Sequence, residues 1–323
     1  MKTKTKLNMV LACLALNIAG AAQAASYPTK PITLVIGFPP GGGADSVGRV
    51  YANSLSKLLK QPVVIENKPG AGSTIAAGQV ARAPADGYTL YLGNSSVMGS
   101  DSVLYNVSYT PLDFRPVARL TTAPMILIAS KKSGIASVKD LVDRAKKAPG
   151  TINVASSGNG VITHLAAVEF MNVSGVNLMH IPFKGGAAAT QSVAAGDTDV
   201  SFATAPSARA AIDTGKAIGL GITTTSPSSV IPEYQPIAGL GVPGYNISNW
   251  WGIFVPKGTP DSVVDVLFRA TNDVLADESV KRSLATSFEE VTPSKSVDEF
   301  VEFARREGDQ GLRLAKESRA TAN

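Results

Sequence analysis

The chain is short of the residues on which many protein chemistries depend. It has one cysteine, Cys13, and two histidines, His164 and His180, in 323 residues. Cys13 lies in the N-terminal stretch MKTKTKLNMVLACLALNIAGAAQAAS, so everything after it lacks disulfides and thiolate metal ligands and is held by its core alone. Neither histidine sits in HExxH or another close ligand cluster, and no GxSxG elbow offers a serine nucleophile. The sequence thus points away from metal, cofactor and triad chemistry and towards a protein that is not an enzyme. Aromatic residues make up 6% of the chain and no block of like charge stands out, which leaves little for nucleic acid to bind. GGGADS lacks the phosphate-loop pattern GxxxxGK[ST], and neither PPGGGADS nor SGNGVITH follows GxGxxG, so nucleotide binding has little support.

What the first residues do have is the build of a secretory leader. Lys2, Lys4 and Lys6 supply the positive end, Met9 to Gly20 the apolar stretch, and Ala22-Gln23-Ala24 the small-x-small cleavage pattern. Residues 1–24 are read as a cleaved signal peptide, with the exported chain starting near Ala25. The apolar stretch is well short of the ~20 residues of a spanning helix, and no later run approaches that length. Val10-Leu11-Ala12 fit poorly as the context for lipid attachment at Cys13. Without the three leader lysines, 27 basic residues face 25 acidic ones, a near-neutral balance. The roughly 300 residues that remain suffice to bury most of their apolar surface, divided between two lobes.

Short β-rich runs alternate with helical patterns. Strands are expected at ITLVIGF, PVVIEN, YTLYLG, MILIAS, INVASS, NLMHIPF, DVSFAT, AIGLGIT and WWGIFVP. Between them, SVGRVYANSLSKLL, SVKDLVDRAKK, THLAAVEFMNVS and AAATQSVAAG read as helices, and two longer helical patterns follow at the C-terminal end. There Val263, Val266, Leu267 and Ala270 share one face, as do Val297, Phe300, Val301 and Ala304. Ser137 with Asp140 and the Thr259-Pro260-Asp261 step mark helix starts. The alternation predicts an α/β fold of βαβ units, with mainly parallel sheets flanked by helices. Residues 223–244, TTTSPSSVIPEYQPIAGLGVPG, lack periodicity and read as a surface loop or a connection between lobes.

Several strands run into small or glycine-rich turns: FPPGGGAD, NSSVMGS, SSGNGVITH and KGGAAAT. Free N–H groups at a helix start, backed by the helix dipole, favour an anionic oxygen, and open α/β sheets bind ligands at the carboxyl ends of their strands. Asp45 stands where a helix begins, as a cap or as the holder of an ordered water that donates to an anion. Ser156, Ser157, Asn159 and Thr163 offer neutral donors, or simply make the turn. His180 lies inside an apolar strand and reads as a satisfied core residue. His164 either faces the cleft or packs within its helix. Lys184 is the one cation in these loops, and its long side chain suits solvent.

The stretches FPPGGGAD, ENKPGAGSTIAAGQVARAPADGYTLYLG, SSGNGVITHL, HIPFKGG, AAGDTDVSF and WWGIFVPKGTP occur in this order along the chain. In that order and spacing the chain resembles the tripartite tricarboxylate transporter receptors, or Bug-type solute-binding proteins, over nearly all of its length after the leader. The resemblance implies a two-lobed periplasmic binding protein fold, type II-like. Ala25 to Thr122 and Asn249 to Asn323 would form the first lobe, and Ala123 to Ser248 the second. It further implies that a ligand carboxylate is gripped, partly through ordered waters, by Phe38, Gly41, Gly42, Ala44 and Asp45 on one side and Ser157, Asn159 and Val161 on the other. Asn94, Ser95, Lys184, Gly185, Gly186, Ala187, Thr204 and Ala205 would add contacts, and His164 counts as a further ligand-binding candidate.

Three positions depart from the family pattern. Val161 stands where a serine or threonine is common, Arg209 where relatives carry an apolar residue, and IAGLGVPGY lacks the usual acidic residue. The implied function is that of a monomeric periplasmic receptor. It would bind a small organic carboxylate, dicarboxylic or aromatic, and deliver it to integral membrane transporter subunits. Closure of the same lobes can equally be read by a membrane kinase, which is the alternative output.

Overall fold

The computed structural model describes residues 27–318. The expected signal peptide, residues 1–24, and with it Cys13, lies outside the described residues. Eleven strands occur among them: β1 (Ile32–Ile36), β2 (Val63–Asn67), β3 (Thr89–Gly93), β4 (Phe114–Ala123), β5 (Met125–Ser130), β6 (Asn153–Ser156), β7 (Met179–Pro182), β8 (Val200–Thr204), β9 (Ala217–Ile222), β10 (Asn249–Pro256) and β11 (Glu290–Val291). The helices are α1 (Gly43–Leu59), α2 (Thr74–Ala81), α3 (Ser95–Met98), α4 (Asp101–Leu104), α5 (Val138–Lys147), α6 (Ile162–Ser174), α7 (Gly186–Ala195), α8 (Ala205–Asp213), α9 (Asp261–Ala276), α10 (Glu278–Ala285) and α11 (Val297–Glu317).

The strands form two sheets, one in the order β11-β4-β10-β3-β1-β2 and the other in the order β7-β6-β8-β5-β9. Each is flanked by helices, giving the expected two-lobed α/β architecture. The sheets are mixed, with a smaller parallel share than the βαβ reading suggests. β1 runs parallel to β2 and β3, and β6 parallel to β7 and β8. β5 and β10 run antiparallel to both of their neighbours. The difference lies in the connections, because a helical crossover returns the chain in the same sense whereas β5 and β10 each follow a passage from the other sheet. The first passage is Pro124, between β4 and β5, and the second ends at Asn249.

Burial follows the expected faces. Val47, Gly48, Tyr51, Ala52 and Leu55 form the inner stripe of α1, and the helix stops at Lys60, whose backbone is left-handed. The Tyr51 hydroxyl, buried in that stripe, is paired with Thr271 of α9 at 2.7 Å. β4 escapes a pattern search because Pro116 interrupts FRPVARLTTA. Proline is tolerated there because β4 is paired on one side by β10, while β11 covers only Thr121 and Thr122 on the other. The 223–244 segment is a packed loop: Ile231, Ile237 and Val242 are buried, and the Ile222 N–H bonds to Gln235 O.

The last helix belongs to both lobes. The start of α11 buries Phe300 and Ala304 against Trp250 and Phe254, whereas Leu314 near its end joins the core of the second lobe. Arg313 pairs with the buried Glu169 of α6 at 2.9 Å, and Gln310 reaches both Glu169 and the Asn246 carbonyl. A second link is Glu290 of β11, which accepts hydrogen bonds from the hydroxyls of Ser228 and Ser229 at 2.9 and 2.8 Å.

Candidate functional site

Between the sheets lies a cavity of about 520 Å³, walled by residues of both lobes. Its most informative feature is the start of three long helices. Gly42 to Ala44 open α1, Gly160 to Ile162 open α6, and Thr204 to Pro206 open α8, all on the cavity wall. The residues preceding these helices, Gly42, Val161 and Thr204, make no side-chain cap. This leaves first-turn N–H groups and the positive dipole ends for an outside acceptor, except that Pro206 in α8 carries no N–H and the His164 N–H of α6 is bonded to the Val161 carbonyl at 2.9 Å. A fourth, short helix differs, since the Asn94 side-chain oxygen Oδ1 accepts the Ser96 N–H at 3.1 Å and caps α3.

The first-lobe turn is held from behind by Asp45. Its carboxylate accepts the Gly41 N–H at 2.9 Å, the Arg49 Nε at 2.7 Å and the Asn67 amide at 3.0 Å. Asn67 also donates to Phe38 O at 3.1 Å, so one acidic residue and one amide tie both ends of FPPGGGAD together. Burial works to raise the Asp45 pKa, but the hydrogen bonds from Arg49, Gly41 and Asn67 outweigh it and hold it below the ordinary aspartate value.

The second-lobe turn is braced in a similar way. Thr163 accepts the Ser157 N–H at 3.0 Å and pairs with its hydroxyl at 2.7 Å. His164 Nδ1 accepts the Gly160 N–H at 3.0 Å, and its ring stacks on His180 at 3.7 Å. Burial, with His180 alongside, lowers the His164 pKa to about 4, so at neutral pH the ring is uncharged and its Nδ1 is free to accept. Gly160 has φ +71°, and a Cβ built on it would come within 2.6 Å of Leu104 of α4. The lobes touch at this point, where the left-handed backbone favours glycine and a side chain would have to displace the Leu104 methyl groups.

The rest of the wall combines small and aliphatic residues with aromatic and acidic ones. Phe38 meets Trp251 edge to face at 5.5 Å. Glu289, which is 4% exposed, accepts the Thr121 hydroxyl at 2.6 Å and the Trp251 indole N–H at 3.2 Å. Asp101, 2% exposed, accepts the Tyr109 hydroxyl at 2.6 Å. Burial raises Glu289 to about 7 and Asp101 to about 6, the hydrogen bonds offsetting only part of the effect. Among the described residues, no Lys, Arg or His lines the cavity.

Of the residues that the resemblance nominates, the cavity wall gathers Phe38, Gly42, Ala44, Asn94, Ser95, Val161, Thr204 and Ala205. It does not gather Gly41, Asp45, Ser157, Asn159, His164, Lys184, Gly185, Gly186 or Ala187. Asp45 and His164 are buried behind their turns, whereas Gly41, Asn159, Lys184 and Ala187 are exposed. The Lys184 to Ala187 turn leans on the second-lobe turn, with the Gly185 N–H bonded to Ser157 O at 3.2 Å. Sequence reasoning did not find Asp101, Leu104, Trp251, Phe288 and Glu289, which also line the cavity. Trp250 and Trp251 carried a usable signal, because adjacent strand residues point to opposite faces and only one of the pair can sit in a given core. Glu289 carried none, since its position depends on the pairing of β11 with β4.

Residues 47–317 match the tripartite tricarboxylate transporter family receptor. The UPF0065 protein in the tcbD-tcbE intergenic region of Pseudomonas sp. (strain P51) is 34% identical over 282 residues, 85% of this chain and 84% of that one. A TctC solute binding protein from Polaromonas superposes with a TM-score of 0.80 at 28% identity, over 90% of this chain and 100% of that one. R. palustris Rpa4515, solved with adipate, gives a TM-score of 0.76 at 29% identity over 92% and 100%. The sequence match, the two-lobed fold and the cavity between the lobes agree: the chain belongs to the tripartite tricarboxylate transporter receptor family, whose members are periplasmic solute-binding receptors and not enzymes.

Proposed function

We propose that the chain is exported by its leader to the periplasm, where as a monomer it takes up a small organic carboxylate between its lobes and hands it to the membrane subunits of a tripartite tricarboxylate-type transporter. One observation carries this reading: three uncapped helix starts from two lobes meet one cavity that has no cationic side chain on its wall. A carboxylate is small enough to be held by backbone N–H groups and waters alone. A grip without a cation also releases its cargo without separating a salt bridge. Adipate in the R. palustris relative is a carboxylate of the same general kind.

In this reading Phe38, Gly42 and Ala44 form the first jaw, and Val161 with Thr204 and Ala205 the second. Asp45 and His164 shape the jaws from behind. Closure is favoured by ligand because only the closed arrangement brings both sets of donors to it. A thermal-shift panel of mono-, di- and tricarboxylates tests the reading. A ligand present at 100 times its dissociation constant adds about 2.7 kcal/mol of stability. A panel that shifts nothing contradicts it.

A further inference from the structure

The carboxylate clamp occupies one part of the cavity wall, and the two acidic side chains on the remainder bear on what the other end of the ligand carries. Glu289 and Asp101 are the only charged residues among those lining the cavity, and both are nearly fully buried. The Glu289 carboxylate is fixed by two donors, one to each oxygen, and the indole N–H of Trp251 can only donate. The oxygen facing the indole must accept, and when Glu289 is ionised both oxygens accept and each retains a lone pair beyond its protein partner. Trp251 in turn meets Phe38 of the first jaw, so the acid and the clamp share one aromatic wall. The Tyr109 hydroxyl holds one oxygen of Asp101 in a comparable way.

A second carboxylate on the ligand would meet two buried acidic side chains and no compensating cation, and could be received by Glu289 only in its protonated form. Repulsion at close range in low dielectric opposes that arrangement. A nitrogen that is protonated or carries N–H would complete the Glu289 hydrogen bonding and pair its charge.

Building on the carboxylate reading above, we propose that the cognate ligand is an amphoteric carboxylate, its carboxylate at the helix starts and a nitrogen donor received by Glu289. Glu289 is the specificity-determining residue for that donor, and Asp101 reinforces the negative potential around it.

Two matched sets of probes differ only at the far end: hexanoate, adipate and 6-aminohexanoate, and benzoate, isophthalate and 3-(aminomethyl)benzoate. Calorimetric titration of the full mature chain should find the amino member of at least one set bound at least about tenfold tighter than its neutral and dicarboxylate partners, as one charge-assisted hydrogen bond warrants. Glu289→Gln should remove that preference, so that the amino and neutral members bind the variant with similar affinity. Asp101→Asn, which keeps an acceptor for Tyr109, should reduce the preference and provides a second variant if the first folds poorly. Tightest binding of adipate or isophthalate overturns the inference and leaves the carboxylate reading intact, and so does an amino preference that survives Glu289→Gln in a folded protein. Failure of every probe, together with the wider carboxylate panel, removes both.

Discussion

Asp45 is the residue on which the first jaw depends without itself lining the cavity, and Asp45→Ala separates those two roles. The substitution deletes three accepted hydrogen bonds at once. Arg49 is largely exposed and its guanidinium returns to water, so its loss is small. Gly41 is exposed as well, and its N–H is rehydrated. The Asn67 amide is half-buried and keeps only Phe38 O, so the bond that water does not restore is the one to the carboxylate. A hydrogen bond to a charged group contributes about 1.5–3 kcal/mol, and for a chain of this size that corresponds to a fall in melting temperature of roughly 2–5 °C. Ligand affinity should fall with it, because Gly41 and Phe38 are released from a common brace.

Acid titration gives an independent reading of the same group. A carboxylate with a depressed native pKa contributes stability that is present above its unfolded pKa and lost as pH falls through the native value. The variant's stability should therefore decline less than the wild type's below about pH 4. An unchanged melting temperature with a large loss of affinity would refute the brace and make Asp45 a direct ligand contact.

Other expected outcomes are local. Gly160→Ala introduces a Cβ against Leu104 and should weaken ligand binding by hindering closure, with Leu104→Ala restoring part of the affinity; titration of the single and double variants checks the pairing. Arg313→Ala leaves the buried Glu169 with Gln310 as its remaining partner on the last helix, and should cost about 1–3 kcal/mol in denaturant unfolding. Asp101 holds its proton to about pH 6 in the native protein, so the unfolded chain ionises first and stability falls as pH rises from about 4 to about 6; Asp101→Asn should flatten that part of the profile.

The glycine-rich turns were legible in the sequence because each joins a strand to a helix through residues that suit tight backbone. The nine strands with clear apolar runs were legible for a similar reason. β4 was hidden by Pro116, whose tolerance depends on a missing neighbour and not on local sequence. The jaws were readable as turns, but their bracing was not: Asn67 reaches Asp45 from β2, and His180 stacks on His164 from the neighbouring strand β7. Glu289 and Asp101 became cavity residues through contacts with Thr121, Trp251 and Tyr109, which no spacing in the sequence reveals. The dual attachment of α11 was concealed as well, because its apolar face is continuous while the partners of that face change lobe.

The most direct test of the central claim compares one ligand in three forms. The tightest binder from the carboxylate panel, its primary amide and its methyl ester share a body and differ in the group presented to the helix starts. The account predicts saturable calorimetric binding of the carboxylate and a loss of at least about tenfold for both neutral forms. Equal affinity for all three would contradict the carboxylate clamp.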